Sequence, residues 1–388
     1  MRLVAPLAAT LVVLAGGVPR ILLASGALPD PLRGFVWSDP LFTYLRGLSG
    51  HRLPYRDTPF EYPPLLGALS GALSLISDSP TAYVVWWTVV LAAAAGACAY
   101  LLARVAGERR AVGYWSLAPQ LLLLSTVNFD VIPTTLLTLA AVAQRSGREL
   151  AASGALAAGT AAKLFPLASV PLALARDRGR VAATACFVTV AGVFYLASVF
   201  QPYSSASGLA FYATGIGSNL DSVWGLFERA LKVAGLPASS LAVLALTTGG
   251  LAVTYVVQVF PRGLRAKDPV VSFALATVVL LFWSRLYSPQ FSLWLLPFYA
   301  LVPLPRRDFA LLTAADVGVF LTVYPLTLVP RTPDDAASVG LLGALAAFVL
   351  LRHVAIVLTW RDLLPLAGSA RERSPIPDLS PRLPRRRA

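Results

Sequence analysis

Between residues 35 and 65 the chain reads FVWSDPLFTYLRGLSGHRLPYRDTPFEYPPL, a stretch dense in groups that move protons or hold anions. Its acids are Asp39, Asp57 and Glu61, with Asp30 just ahead; its bases are Arg46, His51, Arg52 and Arg56, with Arg33 just ahead. A carboxylate held against a hydroxyl can serve as general base. Arginine offers a planar fork of donors that matches phosphate, so this many Arg residues around a few acids suit an anionic ligand. Three more places stand out. Asn128 and Asp130 separate two short apolar blocks, Lys163 lies in the middle of another, and Arg285 closes an apolar run just before Tyr287-Ser288-Pro289-Gln290. A cation within apolar sequence is costly unless paired or wet. Lys163 is therefore expected to meet a phosphate or a structural carboxylate, the plain alternative being snorkelling or helix packing. Asn128 and Asp130 are expected to line a cavity, although Asp130 could equally cap the helix that starts at Val131. Arg285 suits an anion and also suits an interfacial anchor. His51 could carry a proton or simply occupy a surface loop, and His353 reads as structural.

The elements that must position these groups are membrane helices. Of 388 residues, 57% are hydrophobic and 13% charged, about half the charge density of soluble domains. Apolar blocks near the ~20-residue bilayer length, without period-2 alternation, select helices over a barrel. The fold class expected is all-α and polytopic, with about 10–12 transmembrane or re-entrant helices. Spans are expected at 3–24, 82–103, 111–126, 130–143, 180–200, 238–260, 269–285, 289–304, 308–328 and 337–359. Residues 63–77 read as an interfacial or re-entrant helix, and 150–175 as a hairpin with Lys163 and Pro166 at its turn. Basic clusters at Arg104/Arg109/Arg110, Arg145/Arg148, Arg176/Arg178/Arg180, Arg262/Arg265/Lys267, Arg306/Arg307 and after Arg361 mark cytoplasmic loops. Both termini then face the cytoplasm, and loops 25–62 and 201–236 lie outside. Residues 1–360 read as one membrane domain and 361–388 as a basic, disordered tail. The net charge of +13 sits in short loops and the tail, so it reports topology and no nucleic-acid partner is expected. Cys98 and Cys186 have no zinc spacing, and no acidic pair has a clear metal-ligand spacing. No cofactor is expected, while a metal requirement stays open.

At this point the chain resembles glycosyltransferase family 87, multi-spanning enzymes of the GT-C structural class that include polyprenyl-phosphate-mannose-dependent mannosyltransferases. The resemblance rests on the order Asp39, Tyr44, Gly50, Pro54-Tyr55 and Glu61-Tyr62-Pro63-Pro64, then Asn128-Phe129-Asp130, Lys163-Leu-Phe-Pro166 and Ser284-Arg285-Leu-Tyr287-Ser288-Pro289-Gln290. It implies a GT-C-like fold and inverting transfer of a sugar, most often mannose, from a polyprenyl-phosphate donor to a glycolipid or glycan hydroxyl, as in lipoglycan biosynthesis. The resemblance implies that transfer takes place at the outer face of the plasma membrane. It further implies a catalytic carboxylate in the first outside loop, at the position of Asp39; Asp57 and Glu61 are the fallback bases, and Tyr44, Arg46, His51, Arg52, Tyr55, Glu61, Tyr62, Asn128, Asp130, Lys163, Arg285 and Tyr287 are the residues expected in the substrate site. The chemistry is consistent with this. One base suffices for the acceptor hydroxyl, and a phosphate leaves without a general acid, unlike the carboxyl pair of glycoside hydrolases. Cations near the leaving phosphate stabilise its developing charge. Trp37 and Trp224 could stack on a sugar, whereas Trp86, Trp87, Trp283 and Trp294 fit an interfacial belt.

Two other classes share the helix count: a transporter or flippase of lipid-linked sugars, and a membrane assembly factor without catalysis. Neither calls for a loop of carboxylates and arginines followed by Tyr62-Pro63-Pro64. No internal repeat is visible, which weakens a transporter built on inverted repeats.

Overall fold

A computed structural model describes residues 3–177, 179–206, 217–237, 239–330 and 336–368. The described residues are helical, without strands. Six helices are long and apolar enough to cross a membrane: Val4–Ala24, Pro80–Ala106, Arg180–Val199, Ser240–Arg265, Arg306–Leu328 and Ala336–Gly368. Four shorter apolar helices lie among them, at Pro64–Leu75, Val131–Arg145, Phe165–Arg176 and Pro269–Trp283. The long helices carry apolar side chains all round because lipid is their solvent, and each satisfies its backbone internally. Their starts are specified locally. Ser79 accepts from Ala82 N–H at 3.2 Å ahead of Pro80, and Asp268 accepts from Val270 N–H at 3.0 Å ahead of Pro269. Pro suits the first turn, where its missing N–H is not needed.

The core begins with the pairing of Val4–Ala24 and Pro80–Ala106, where Ala5, Ala9, Ala92, Ala95 and Ala99 are buried. Small residues let membrane helices approach closely. A methyl group on Gly16 would lie 2.3 Å from the Leu122 carbonyl oxygen, so the first helix and the segment after Pro119 touch backbone to backbone.

Several expected spans are broken. Residues 111–126 form a π-helical turn at Val112–Ser116 and a short helix at Pro119–Leu124. Residues 289–304 form a 3₁₀ turn at Pro289–Trp294 and a short helix at Leu296–Leu301. Pro119, Pro289 and Pro297 each open a new piece, since Pro cannot continue the preceding turn without losing a hydrogen bond and clashing with it. The hairpin expected at 150–175 is present. Glu149–Ala162 descends, Lys163 is extended with φ −159°, and Phe165–Ser169 leads into the returning helix Val170–Arg176. The last helix runs to Gly368, past the boundary placed at 360. The basic tail beyond it lies outside the described residues.

Charges separate to the two ends of the bundle. At one end Arg110 donates to the carbonyls of Tyr299, Ala300 and Val302 at 2.6–2.7 Å. There Arg145 pairs with Asp268, Arg176 donates to Gly263 O at 2.7 Å, and Arg307 reaches Asp308 at 3.3 Å and Asp362 at 3.5 Å. At the other end the loop after the first helix meets the turn 125–130 and the segments 217–222 and 284–290 around a cavity.

Candidate active site

Asp39 opens a short helix, Asp39–Thr43, whose cap is Ser38: its hydroxyl accepts from Leu41 N–H at 3.2 Å. The cap of this helix is therefore Ser38, and the Asp39 carboxylate makes other bonds. Its backbone N–H donates to Val127 O at 2.8 Å, which ties the loop to the turn carrying Asn128. Three side chains donate to the carboxylate: Trp37 Nε1 to Oδ1 at 2.5 Å, Tyr62 OH to Oδ2 at 2.9 Å, and the Asn128 amide to Oδ2. Asp39 is half-buried at the wall of the cavity. That burial pushes its carboxyl up to about 6, against the lowering effect of the Trp37 and Tyr62 hydrogen bonds and the charge of Lys163. A group poised there is ionised at neutral pH and still basic enough to take a proton.

The cavity has a volume of about 840 Å³ and is lined by Asp39, Glu61, Tyr62, Asn128, Lys163 and Arg285 among the residues singled out from sequence. Lys163 Nζ donates to Asp130 Oδ1 at 2.7 Å, and Trp294 Nε1 donates to the same oxygen at 2.6 Å. The ammonium also stands 4.4 Å from the centre of the Phe291 ring. Asp130 makes no capping bond to its helix, so its role is to hold Lys163 from beneath. Arg285 is buried with a guanidinium at the cavity wall, and burial lowers its pKa against the charge of Glu228. Its carbonyl accepts from Asn219 N–H and from the Ser222 hydroxyl, both at 2.9 Å. Along one side a second, mostly apolar hollow of about 650 Å³ shares Lys163, Leu164, Thr248, Leu251 and Ser284 with the first. Leu164, Leu167 and Val256 on its rim are exposed on the flank of the bundle.

Other expected site residues do not line the cavity. Tyr44 is buried against Tyr83, with its hydroxyl 3.3 Å from Ser77 O. Tyr55 is buried and donates to Tyr62 O, while its ring fills the space that a Cβ on Gly67 would need, 2.3 Å away. Arg46 pairs with Glu61 at 3.3 Å and so braces the loop. His51 bonds Ser74 O at 2.9 Å, and the Arg52 carbonyl accepts from Ser74 at 3.0 Å. Both side chains are exposed on the far side of the loop. Tyr287 is buried, with its hydroxyl 2.9 Å from Ser292 Oγ. These residues shape the loop and the floor because the polypeptide turns away from the cavity after Thr43. The fallback base Asp57 is tied to Arg56 at 3.0 Å and to Leu53 N–H, which hold its carboxyl below the usual range.

Sequence reasoning missed Arg20, Asp221, Asp316 and Arg352. Arg20 is buried in the first helix and donates to Gly16 O and Leu123 O at 2.9 Å and to Trp37 O at 3.2 Å, so it sets the base of the Asp39 loop. Arg352 is fully buried in the last helix, stacks on Tyr287 at 3.9 Å and lies 4.0 Å from Asp316. Asp316 in turn accepts from Gln120 at 3.1 Å and Ser292 at 2.7 Å. For Arg20, Asp316 and Arg352 the signal was present: each is a charge inside an apolar span, where an unneeded charge is costly, whereas Asp221 lies in a loop. Among the described residues, no three His, Cys, Asp or Glu side chains converge as metal ligands would.

Comparison with curated proteins gives no match. The sequence model of glycosyltransferase family 87 matches residues 60–289, a span that holds Glu61, Tyr62, Asn128, Lys163, Asp221 and Arg285 and begins after Asp39. It covers more than half of a chain whose described residues form helices without strands and carry six candidate membrane spans, and the chain belongs to glycosyltransferase family 87.

Proposed function

We propose that this membrane glycosyltransferase moves a sugar, mannose first among the candidates, from a polyprenyl-phosphate carrier to a hydroxyl of a glycolipid or glycan at the outer face of the plasma membrane. The observation that carries the reading is the placement of Asp39 in one cavity with Lys163 and Arg285. Asp39 is the general base. An ionised carboxylate has about four acceptor sites, and three are taken by Trp37, Tyr62 and Asn128. One remains for the acceptor hydroxyl. As the base takes the proton, the hydroxyl oxygen attacks the anomeric carbon and the polyprenyl phosphate leaves from the opposite side, inverting that centre. Arg285 and Lys163 stabilise the charge gathering on the leaving phosphate. The apolar hollow beside them, open at the flank of the bundle, gives a lipid-borne donor a route in from the bilayer.

The test is to incubate the purified chain in lipid with polyprenyl-phosphate sugars and a panel of membrane acceptors. Transfer from polyprenyl-phosphate mannose that Asp39→Asn loses supports the reading. Use of nucleotide sugars alone, or of no sugar donor, overturns it.

A further inference from the structure

A second carboxylate faces the same cavity. Asp221 lies in the loop segment 217–222 and is 6% exposed. Among the described residues no side chain donates a hydrogen bond to its carboxylate, and the charge set against it is that of Arg352. The backbone around it is fixed. Arg352 donates to the Asp221 carbonyl and, at 3.1 Å, to that of Tyr287. The Asn219 amide donates to Leu286 O at 3.2 Å and to Ser288 Oγ at 2.7 Å, and the Asn219 N–H binds Arg285 O. The segment carrying Asp221 is thus laced to the one carrying Arg285, and both present their side chains to one space.

A buried carboxylate with open lone pairs is costly unless a ligand fills them. A phosphate would be repelled, and a hydrocarbon chain would leave the lone pairs empty. Paired O–H donors fit, since a carboxylate can accept from two hydroxyls at once. With the donor phosphate at Arg285, the group next to it is the sugar that the phosphate carries. We propose that Asp221 receives hydroxyl groups of the donor sugar and determines which sugar is accepted. This rests on the polyprenyl-phosphate reading above.

The experiment measures equilibrium binding of two probes, polyprenyl-phosphate mannose and bare polyprenyl phosphate, to the full chain in lipid nanodiscs. The wild type is expected to bind the sugar-bearing lipid more tightly than the bare one, by about tenfold to a hundredfold, the range of hydrogen bonds to a charged group. In Asp221→Ala that ratio falls toward one while affinity for bare polyprenyl phosphate stays at or above the wild-type value. Asp221→Asn, which keeps the shape and one acceptor oxygen, lies between. An unchanged ratio in Asp221→Ala overturns the proposal. Equal weakening of both probes also overturns it, because Asp221 would then only support the loop. Failure of the wild type to bind either probe instead removes the polyprenyl-phosphate reading itself.

Discussion

Asp39 has the residue environment of a base: three donors, a buried setting and a cavity in front of it. Asp39→Asn keeps the shape and removes the basic oxygen, so turnover should fall by about 10²–10⁴-fold with the fold intact by circular dichroism. Near-normal turnover would remove Asp39 from the mechanism. In the proposed mechanism the base acts in its ionised form, and burial raises the carboxyl to about 6. Activity should therefore be full above that value and be lost as pH falls through it, a profile that a steady-state pH series resolves. Arg285 is tested by charge and shape together. Arg285→Ala should raise the apparent KM for donor far more than for acceptor, and Arg285→Lys should restore it only in part, because Lys lacks the fork that matches phosphate. Equal effects on both substrates would reduce Arg285 to an anchor. That Asp39 and Tyr62 could meet Asn128, Lys163 and Arg285 around one cavity was suggested by the polar loop that carries the first two and by the rarity of the last three types in apolar sequence. Which way Tyr44, Tyr55, His51 and Arg52 face was not legible. That is set by the fold of the loop, including left-handed backbone at His51 and Tyr55 with φ near +63°, which residue types alone do not announce.

Lys163 shows how an element is built around one residue. The hairpin breaks at its extended backbone, and the side chain crosses to Asp130 at the start of helix Val131–Arg145. The pair joins the turn of the hairpin to the start of that helix. Removing the cation leaves a buried carboxylate short of a partner, though Trp294 still donates to it. Lys163→Met should therefore destabilise by about 1–3 kcal/mol, and adding Asp130→Asn should recover much of the loss, since the lone buried charge disappears with it. Thermal unfolding in detergent measures both. A double variant no more stable than the single would mean that the pair does not lock the hairpin. The hairpin itself was legible, because basic clusters at both ends demanded a return. The breaks at Pro119 and Pro297 were not drawn from hydropathy, which averages across a proline. The proline positions carried the information, and the expected spans ran over them.

At the scale of the whole molecule, two ends with different chemistry face each other across the apolar bundle. One gathers Arg110, Arg145, Arg176 and Arg307, each bonded to carbonyls or to a neighbouring carboxylate. The other holds the Asp39 cavity and the aromatic loop around it. Short loops rich in Lys and Arg are retained on the cytoplasmic side, so the cavity end should be extracytoplasmic, where a lipid-borne donor would deliver its sugar. Two exposed serines mark the ends: Ser49 in the loop of Asp39, and Ser146 beside Arg145. With Cys186→Ser as background to remove the one half-buried thiol, Ser49→Cys should react in intact cells with a membrane-impermeant maleimide. Ser146→Cys should react only after permeabilisation. The opposite pattern would place the cavity in the cytoplasm and transfer the donor question to sugars available there. Labelling of both sites in intact cells would mean that the bundle does not separate two compartments in the orientation its charges specify.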